Sequence, residues 1–172
     1  MSDNTSHITQ EFKAQAIYRI DLGHEMLKKA VSDLDEDMIW SRPNGVSNSI
    51  GNLILHLCGN ITQYAISGLG GALDERHRDL EFSSRETHTK LELLQKLEET
   101  LEGAKGAISG ATDNDFLHIK WVQGFEMSGL GMALHVVEHF SYHTGQIAFW
   151  VKQLKNEPLG FYDGIDLNLK NK

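Results

Sequence analysis

The chain has 172 residues, and 24 acidic against 16 basic side chains give it a formal net charge of −8. This length predicts a single domain over residues 1–172, and a hydrophobic content of 40% excludes wholesale disorder because it is enough to build a core. The acidic balance and the lack of any basic run exclude nucleic acid as the main partner. A single cysteine excludes an internal disulfide. Nine histidines are many for an acidic chain and indicate either surface residues or a metal site.

Targeting and membrane segments are not expected. The stretch Met1–His7 lacks the basic region and apolar block of a signal peptide. The stretch Pro43–Leu73 contains no Asp, Glu, Lys or Arg, but its many Asn, Gln, Gly and Ser residues make it too polar to span a bilayer. We therefore expect a cytoplasmic protein without a membrane partner, in which this stretch is buried in the core or under a second subunit.

Four segments carry the periodicity of long helices. They cover about residues 7–34, 48–68, 87–108 and 129–155. Two long connections separate them, namely Gly70–Arg85, which is polar and charged, and Ser109–Met127. The second contains the alternating run Phe116–Val122, which is typical of a short extended piece.

The tail, Leu159–Lys172, carries aromatic residues and is expected to pack in part against the body of the protein. Four long helices with two long connections predict an all-α fold, a four-helix bundle that is not simply up-down-up-down.

The fourth helix carries His135, His139 and His143 at i, i+4 and i+8. Each step of four residues turns the helix by about 40°, so the three share one stripe; His139 and His143 border the apolar face and His135 lies further out. A pair of histidines leaves a metal ion under-ligated, so a third ligand is expected from another helix. The second helix offers a polar stripe in which His56 is the only strong ligand type: Asn52, His56, Asn60 and Gln63.

The sequence therefore predicts a divalent metal site formed by His56, His139 and His143, with open coordination positions. The alternative is that these are ordinary polar residues whose spacing arises by chance. Three imidazoles suit zinc, nickel, cobalt or iron alike. The remaining histidines lie in polar stretches and are expected at the surface: His7, His24, His77, His88 and His118.

A rival pattern uses some of the same residues. His135, Glu138 and His139 match H-x-x-E-H, the inverted zinc-peptidase motif with glutamate as general base. Such enzymes need a further ligand, usually acidic and well downstream, and Glu157 is the only later glutamate. On the helical wheel Glu138 also points away from the histidine stripe, so a peptidase is the less favoured hypothesis.

Other reactive or aromatic side chains have two interpretations. Cys58 is either a redox thiol near the metal or a small core residue, and the second role is favoured. Five aromatic residues either line a pocket around the metal or belong to the core: Trp121, Phe125, Trp150, Phe161 and Tyr162.

The segments Asn52–Asn60 and His135–Ile147 resemble the first and last ligand helices of the DinB/YfiT-like superfamily. The segments Arg76–Phe82 and Phe161–Asp163 are similar to an uncharacterised branch of it. The resemblance implies a homodimeric four-helix bundle with a divalent metal held by His56, His139 and His143. If the site belongs to a metal-dependent enzyme, Gln146 is expected to contact one of these ligands without binding the metal itself.

The resemblance also implies a function, because characterised relatives include S-transferases and isomerases that use a low-molecular-weight thiol. The first hypothesis is a metal-dependent enzyme acting on a small electrophile with such a thiol as cofactor. The second is a non-enzymatic, dimeric metal-binding or stress-response protein. Many relatives have an arginine after the last histidine; this chain has Thr144, so positive charge at the site would come chiefly from the ion.

Overall fold

The computed structural model describes residues 6–171. The stretch Met1–Thr5, on which part of the expectation about a signal peptide rests, lies outside the described residues, as does Lys172. The helices are α1 His7–Val31, α2 Glu36–Trp40, α3 Ile50–Ile61, α4 Arg78–Ser83, α5 Lys90–Gly110, α6 Asp113–Leu117 and α7 Gly129–Lys155. A π-helical segment, Thr62–Leu69, continues α3, and two strands, β1 Ile119–Val122 and β2 Phe125–Ser128, precede α7.

The four long helices of the bundle begin where the sequence offers a capping side chain. Ser6, Ser49, Thr89 and Ser128 each accept a hydrogen bond from a backbone N–H in the first turn of α1, α3, α5 and α7. Such a bond satisfies an orphan donor, and replacing the cap by alanine costs about 1 kcal/mol. The predicted all-α bundle is confirmed.

The long helices pack in pairs, α1 against α7 and α3 against α5. The largest fully buried side chains come from all four: Ile20, Leu27, Ile54, Leu57, Leu97, Leu101 and Phe140. At Gly23 the first and last helices approach closely, because a Cβ there would lie 2.9 Å from the ring of Phe140.

The middle of the uncharged stretch, α3, lies in the core, whereas Val46 and Leu73 near its two ends are exposed. Every residue of α3 except Gly59 is buried, against neighbours from this same chain. Burial in the core, one of the two expected outcomes, therefore accounts for its lack of charge. None of the described helices is long and apolar enough to cross a membrane.

The connections contain more structure than the sequence indicates. The polar connection after Gly70 forms α4, and the second connection forms α6 and a β-hairpin. The predicted extended piece is confirmed from Ile119 onward, where β1 pairs antiparallel with β2. Gln123 and Gly124 both have positive φ, 52° and 82°, as a two-residue hairpin turn of this hand requires.

The tail packs back at one point. Phe161 contacts the core and the Lys29 ammonium donates to the carbonyl of Gly160, whereas Tyr162 and Ile165 are at least half exposed.

Candidate metal centre

The three predicted ligands converge at one point between α3 and α7. One ring nitrogen from each of His56, His139 and His143 lies within 4.8 Å of the other two. The Nε2 atoms of His56 and His139 are 2.9 Å apart. One ion can bridge that separation, since imidazole nitrogens bind divalent metals at about 2.0–2.1 Å. The cluster can therefore hold a metal ion.

His56 is fixed by a carboxylate that sequence reasoning missed. Its Nδ1 lies 2.8 Å from Oε2 of Glu81 on α4, and both side chains are more than nine-tenths buried. Because a carboxylate only accepts, Nδ1 carries the proton and donates it, which leaves the lone pair of Nε2 facing His139. Such a carboxylate–histidine pair orients a metal ligand and raises its basicity.

Glu81 is in turn held by Arg76. The guanidinium donates from Nε to Oε1 at 2.7 Å and from Nη2 to Oε2 at 2.9 Å, a two-pronged ion pair. Nη2 also lies 3.2 Å from Nδ1 of His56, but both atoms are donors, so this contact is not a hydrogen bond. Burial would raise the pKa of Glu81, but the hydrogen bonds from Arg76 and His56 outweigh it and hold that pKa below its usual value.

The polar stripe of α3 anchors this network. Asn52 donates through Nδ2 to the carbonyls of Glu81 and Ser84, at 2.9 and 3.0 Å. Gln63 accepts from Nη1 of Arg76 at 2.8 Å and donates to Asp74 at 2.7 Å. These buried amides therefore hold α4 and the segment before it against α3, which brings Glu81 to His56.

His143 is fixed from its own helix. Its Nδ1 lies 2.7 Å from Oε1 of Gln146, one turn further along α7. Because an amide oxygen accepts, this contact again places the proton on Nδ1 and frees Nε2 for the cluster. The expected contact of Gln146 with a member of the cluster is confirmed.

His135 lies beside the cluster and is turned to other partners. Its ring stacks on His139 with centroids 5.1 Å apart, and Tyr64 covers its other side at 4.1 Å. Asn60 Nδ2 lies 3.2 Å from Nε2 of His135 and, being an amide donor, occupies that nitrogen's lone pair. The wheel prediction that His135 lies outside the site is confirmed.

The surroundings disfavour protonation of the two histidines of the cluster that lie on α7. Burial, followed by the neighbouring His143 and His56, lowers the pKa of His139 to about 3. Burial also lowers the pKa of His143. Neutral imidazoles are the form that binds metal, so the protonation state fits the donor set.

Glu138 does not take part in the cluster. Its side chain is exposed and lines a cavity with Arg19 and Ser141, between α1 and α7. The carboxylate that contacts a histidine of the cluster is Glu81. The geometry therefore gives no support to the peptidase pattern, which needs Glu138 as the base at the metal.

Cys58 and His24 are both buried. Cys58 has an exposed fraction of 2%, and burial raises the pKa of its thiol to about 12, so it is a core residue and not a reactive thiolate. His24 was expected at the surface, and this was wrong: it faces the core at 9% exposure, between Ile20 and Leu27 on the inner stripe of α1.

The candidate pocket aromatics separate into three groups. Trp121 and Phe125 are exposed on the hairpin, whereas Phe161 and Tyr162 cover the cavity between α1 and α7. Only Trp150 lines a cavity next to the cluster, beside Gln146.

The chain shares its helical fold with solved structures of DinB-like proteins. DinB-like proteins from Bacillus subtilis and Bacillus cereus match it at 16% and 17% identity, with TM-scores of 0.61 and 0.66. Each match covers 84% of this chain, and 92% and 91% of the respective relative. A conserved protein from Enterococcus faecalis matches at 13% identity and a TM-score of 0.69, over 84% of this chain and 97% of that one.

The chain belongs to the family described as "Protein of unknown function (DUF1572)", which matches residues 7–161. A comparison with curated protein sequences gives no match.

Proposed function

We propose that this protein binds a divalent metal ion through His56, His139 and His143 and is a metal-dependent enzyme. The observation that carries the proposal is the pairing behind the ligands. Two of the three rings have their Nδ1 engaged by an acceptor, Glu81 or Gln146, and so present Nε2 to a common point. Polar residues that are close only by chance are not expected to have the same Nδ1–H tautomer and to direct Nε2 to the same point.

A divalent ion held by three neutral imidazoles keeps its full charge and, as a Lewis acid, lowers the pKa of a coordinated thiol or water. Thr144 follows the last histidine, and Arg76, which lies near His56, is neutralised by Glu81. The positive charge at the proposed site would therefore come chiefly from the metal ion. The protein's part is to hold the three imidazoles in place and to keep His139 and His143 in the neutral form that binds metal.

The reaction we propose is transfer of a low-molecular-weight thiol to a small electrophile. The thiol loses its proton to solvent, the sulfur forms a bond to the electrophilic carbon, and the leaving group departs with its bonding electron pair. This chemistry needs no oxidant or reductant.

The first test is metal content. Protein purified without a polyhistidine tag is expected to contain about one equivalent of a divalent metal by elemental analysis. His139→Ala should lose it, and His118→Ala, which removes an exposed histidine just before β1, should keep it. Metal-free wild-type protein that also fails to bind added zinc, nickel, cobalt or iron would overturn the site.

The second test separates an enzyme from a metal-binding protein without catalysis. Metal-loaded protein is screened with small thiols and halogenated electrophiles for release of halide. Turnover that disappears in His143→Ala supports the enzyme. A metal-loaded protein that turns over none of these pairs would favour the non-enzymatic metal-binding protein.

A further inference from the structure

A cavity of about 780 Å³ adjoins the cluster on the side of His143. Its walls are the loop before α3, Leu53 on α3, and the C-terminal half of α7. Gln146 and Tyr142 belong to the wall, and both contact His143: Gln146 accepts from its Nδ1 at 2.7 Å, and the Tyr142 ring packs edge-on at 5.0 Å. The side chains of Gln146 and Tyr142 therefore lie between the cavity and His143, a proposed metal ligand.

The lining of this cavity is unusual for an acidic protein because none of its residues is charged. Aromatic surface comes from Tyr142, Phe149 and Trp150, at i, i+7 and i+8 on one side of α7. Rings of this kind stack on planar ligands. Tyr142 and Phe149 are each 62% exposed, so the cavity is open to solvent on one side. A charged ligand seated against the rings would lose part of its hydration without gaining a counter-ion, which disfavours it.

The polar side chains of the cavity are all uncharged: amides, the hydroxyls of Ser47 and Tyr142, and the indole of Trp150. Trp150 Nε1 is buried and has no acceptor among the described residues. An indole N–H can only donate, so a molecule bound against Trp150 can satisfy it by supplying an acceptor. The amide NH₂ of Gln146 is a second donor in the same wall, since its Oε1 is occupied by His143. A cation would in addition find no carboxylate in the lining to pair with.

We propose that this cavity binds an uncharged, planar aromatic molecule that carries a hydrogen-bond acceptor such as a nitro or carbonyl group. This rests on the proposed function, of which the molecule is the electrophilic substrate. Trp150 Nε1 and the amide NH₂ of Gln146 donate hydrogen bonds to this acceptor and hold the ring against α7, beside the thiol activated at the cluster.

The test compares three probes of one shape by calorimetry: 1,3-dinitrobenzene, 3,5-dinitrobenzoate and 3,5-dinitrophenyl-trimethylammonium. The neutral probe is expected to bind at least about tenfold more tightly than either charged one. Trp150→Phe keeps the ring and removes the donor, and should weaken the neutral probe about fivefold to tenfold. Trp121→Phe changes an exposed tryptophan of the hairpin and should leave binding unchanged.

The same probes separate this inference from the proposed function. His139 does not line the cavity, so His139→Ala should bind the neutral probe as wild type does even if it has lost the metal. Equal or tighter binding of a charged probe, or unchanged binding in Trp150→Phe, would overturn the assigned substrate class. No probe binding, together with a dimer that Phe149→Ala converts to monomer, would show that a second copy covers the cavity and would overturn it as well.

Discussion

Glu81 and His56 form a buried pair in which the carboxylate Oε2 accepts from imidazole Nδ1 at 2.8 Å. Glu81 lies 25 residues from His56 in the sequence and on a helix of only 6 residues. Its position depends on Arg76, which neutralises it, and on Asn52, which binds its backbone carbonyl. His56, a proposed metal ligand, is therefore oriented by a residue of α4, and α4 is itself held against α3 by Asn52.

Removing the carboxylate charge should weaken metal binding without touching a ligand. Glu81→Gln leaves His56 without its charged acceptor, and loss of such a partner typically costs about 10–100-fold in metal affinity. It also leaves the guanidinium of Arg76 buried without its counter-charge, so the free energy of unfolding should fall by about 3–5 kcal/mol. Metal titration of apoprotein and urea denaturation measure the two effects. Glu75→Gln, an exposed neighbour, should change neither.

We expect the contact between Glu81 and His56 to require glycine at position 59. A Cβ at this position would collide with the Glu81 carboxylate and lie 3.0 Å from Nε of Arg76. Gly59→Ala is therefore expected to displace Glu81 from His56 and lower metal affinity, although alanine is the better helix former. Gly106→Ala is the matched control in α5, where nothing lies within 4 Å, and should stabilise the protein by about 0.5–1 kcal/mol. A Gly59→Ala variant with wild-type metal affinity would contradict this role.

The long helices and two of the three converging histidines could be predicted because their signals are local. An i, i+4 spacing places His139 and His143 on one face whatever the tertiary structure is. His56 could be added because it is the only strong ligand type on its helical stripe. Glu81 and Arg76 could not, because α4 is too short to show periodicity and its position is set by contacts with α3. Burial of His24 could have been predicted, since its spacing from Ile20 and Leu27 places it on the apolar stripe of α1. Its charged neighbours Glu25 and Lys28 make the segment look polar and favoured a surface position.

Cys58 should resist thiol reagents in the folded protein. Burial raises the pKa of its thiol to about 12, so almost no thiolate exists at pH 8. Iodoacetamide at that pH should label the cysteine in urea and leave the native protein unmodified, as intact mass spectrometry would reveal. Rapid labelling of native protein would contradict the core role.

The same raised pKa has a consequence for stability in alkali. Between the ordinary thiol pKa and about 12, the unfolded chain loses the Cys58 proton while the folded chain retains it, so the free energy of unfolding falls as pH rises. Cys58→Ala removes this contribution. The stability difference between wild type and variant should therefore shrink from pH 8 to pH 10.

His24 should make the protein sensitive to mild acid. Burial and then Lys28 lower the pKa of His24, with Lys105 adding to this and Glu98 and Glu25 opposing it. Its Nε2 has no partner among the described residues, so no hydrogen bond from that nitrogen stabilises the protonated form. As pH falls through the ordinary histidine pKa of about 6.5, His24 binds a proton in the unfolded chain but not in the folded chain. The free energy of unfolding therefore falls.

Replacement of His24 by an apolar side chain should remove its share of that loss. Urea denaturation of wild type and His24→Leu at pH 7.5 and pH 5.5 measures it, and the variant should gain stability relative to wild type at the lower pH. His118→Leu, at an exposed position, should leave the difference between the two pH values as it is in wild type. Because His135, His139 and His143 also have lowered pKa values, His24→Leu should reduce the acid sensitivity and not abolish it. An unchanged pH difference in His24→Leu would mean that His24 is protonated in the folded protein.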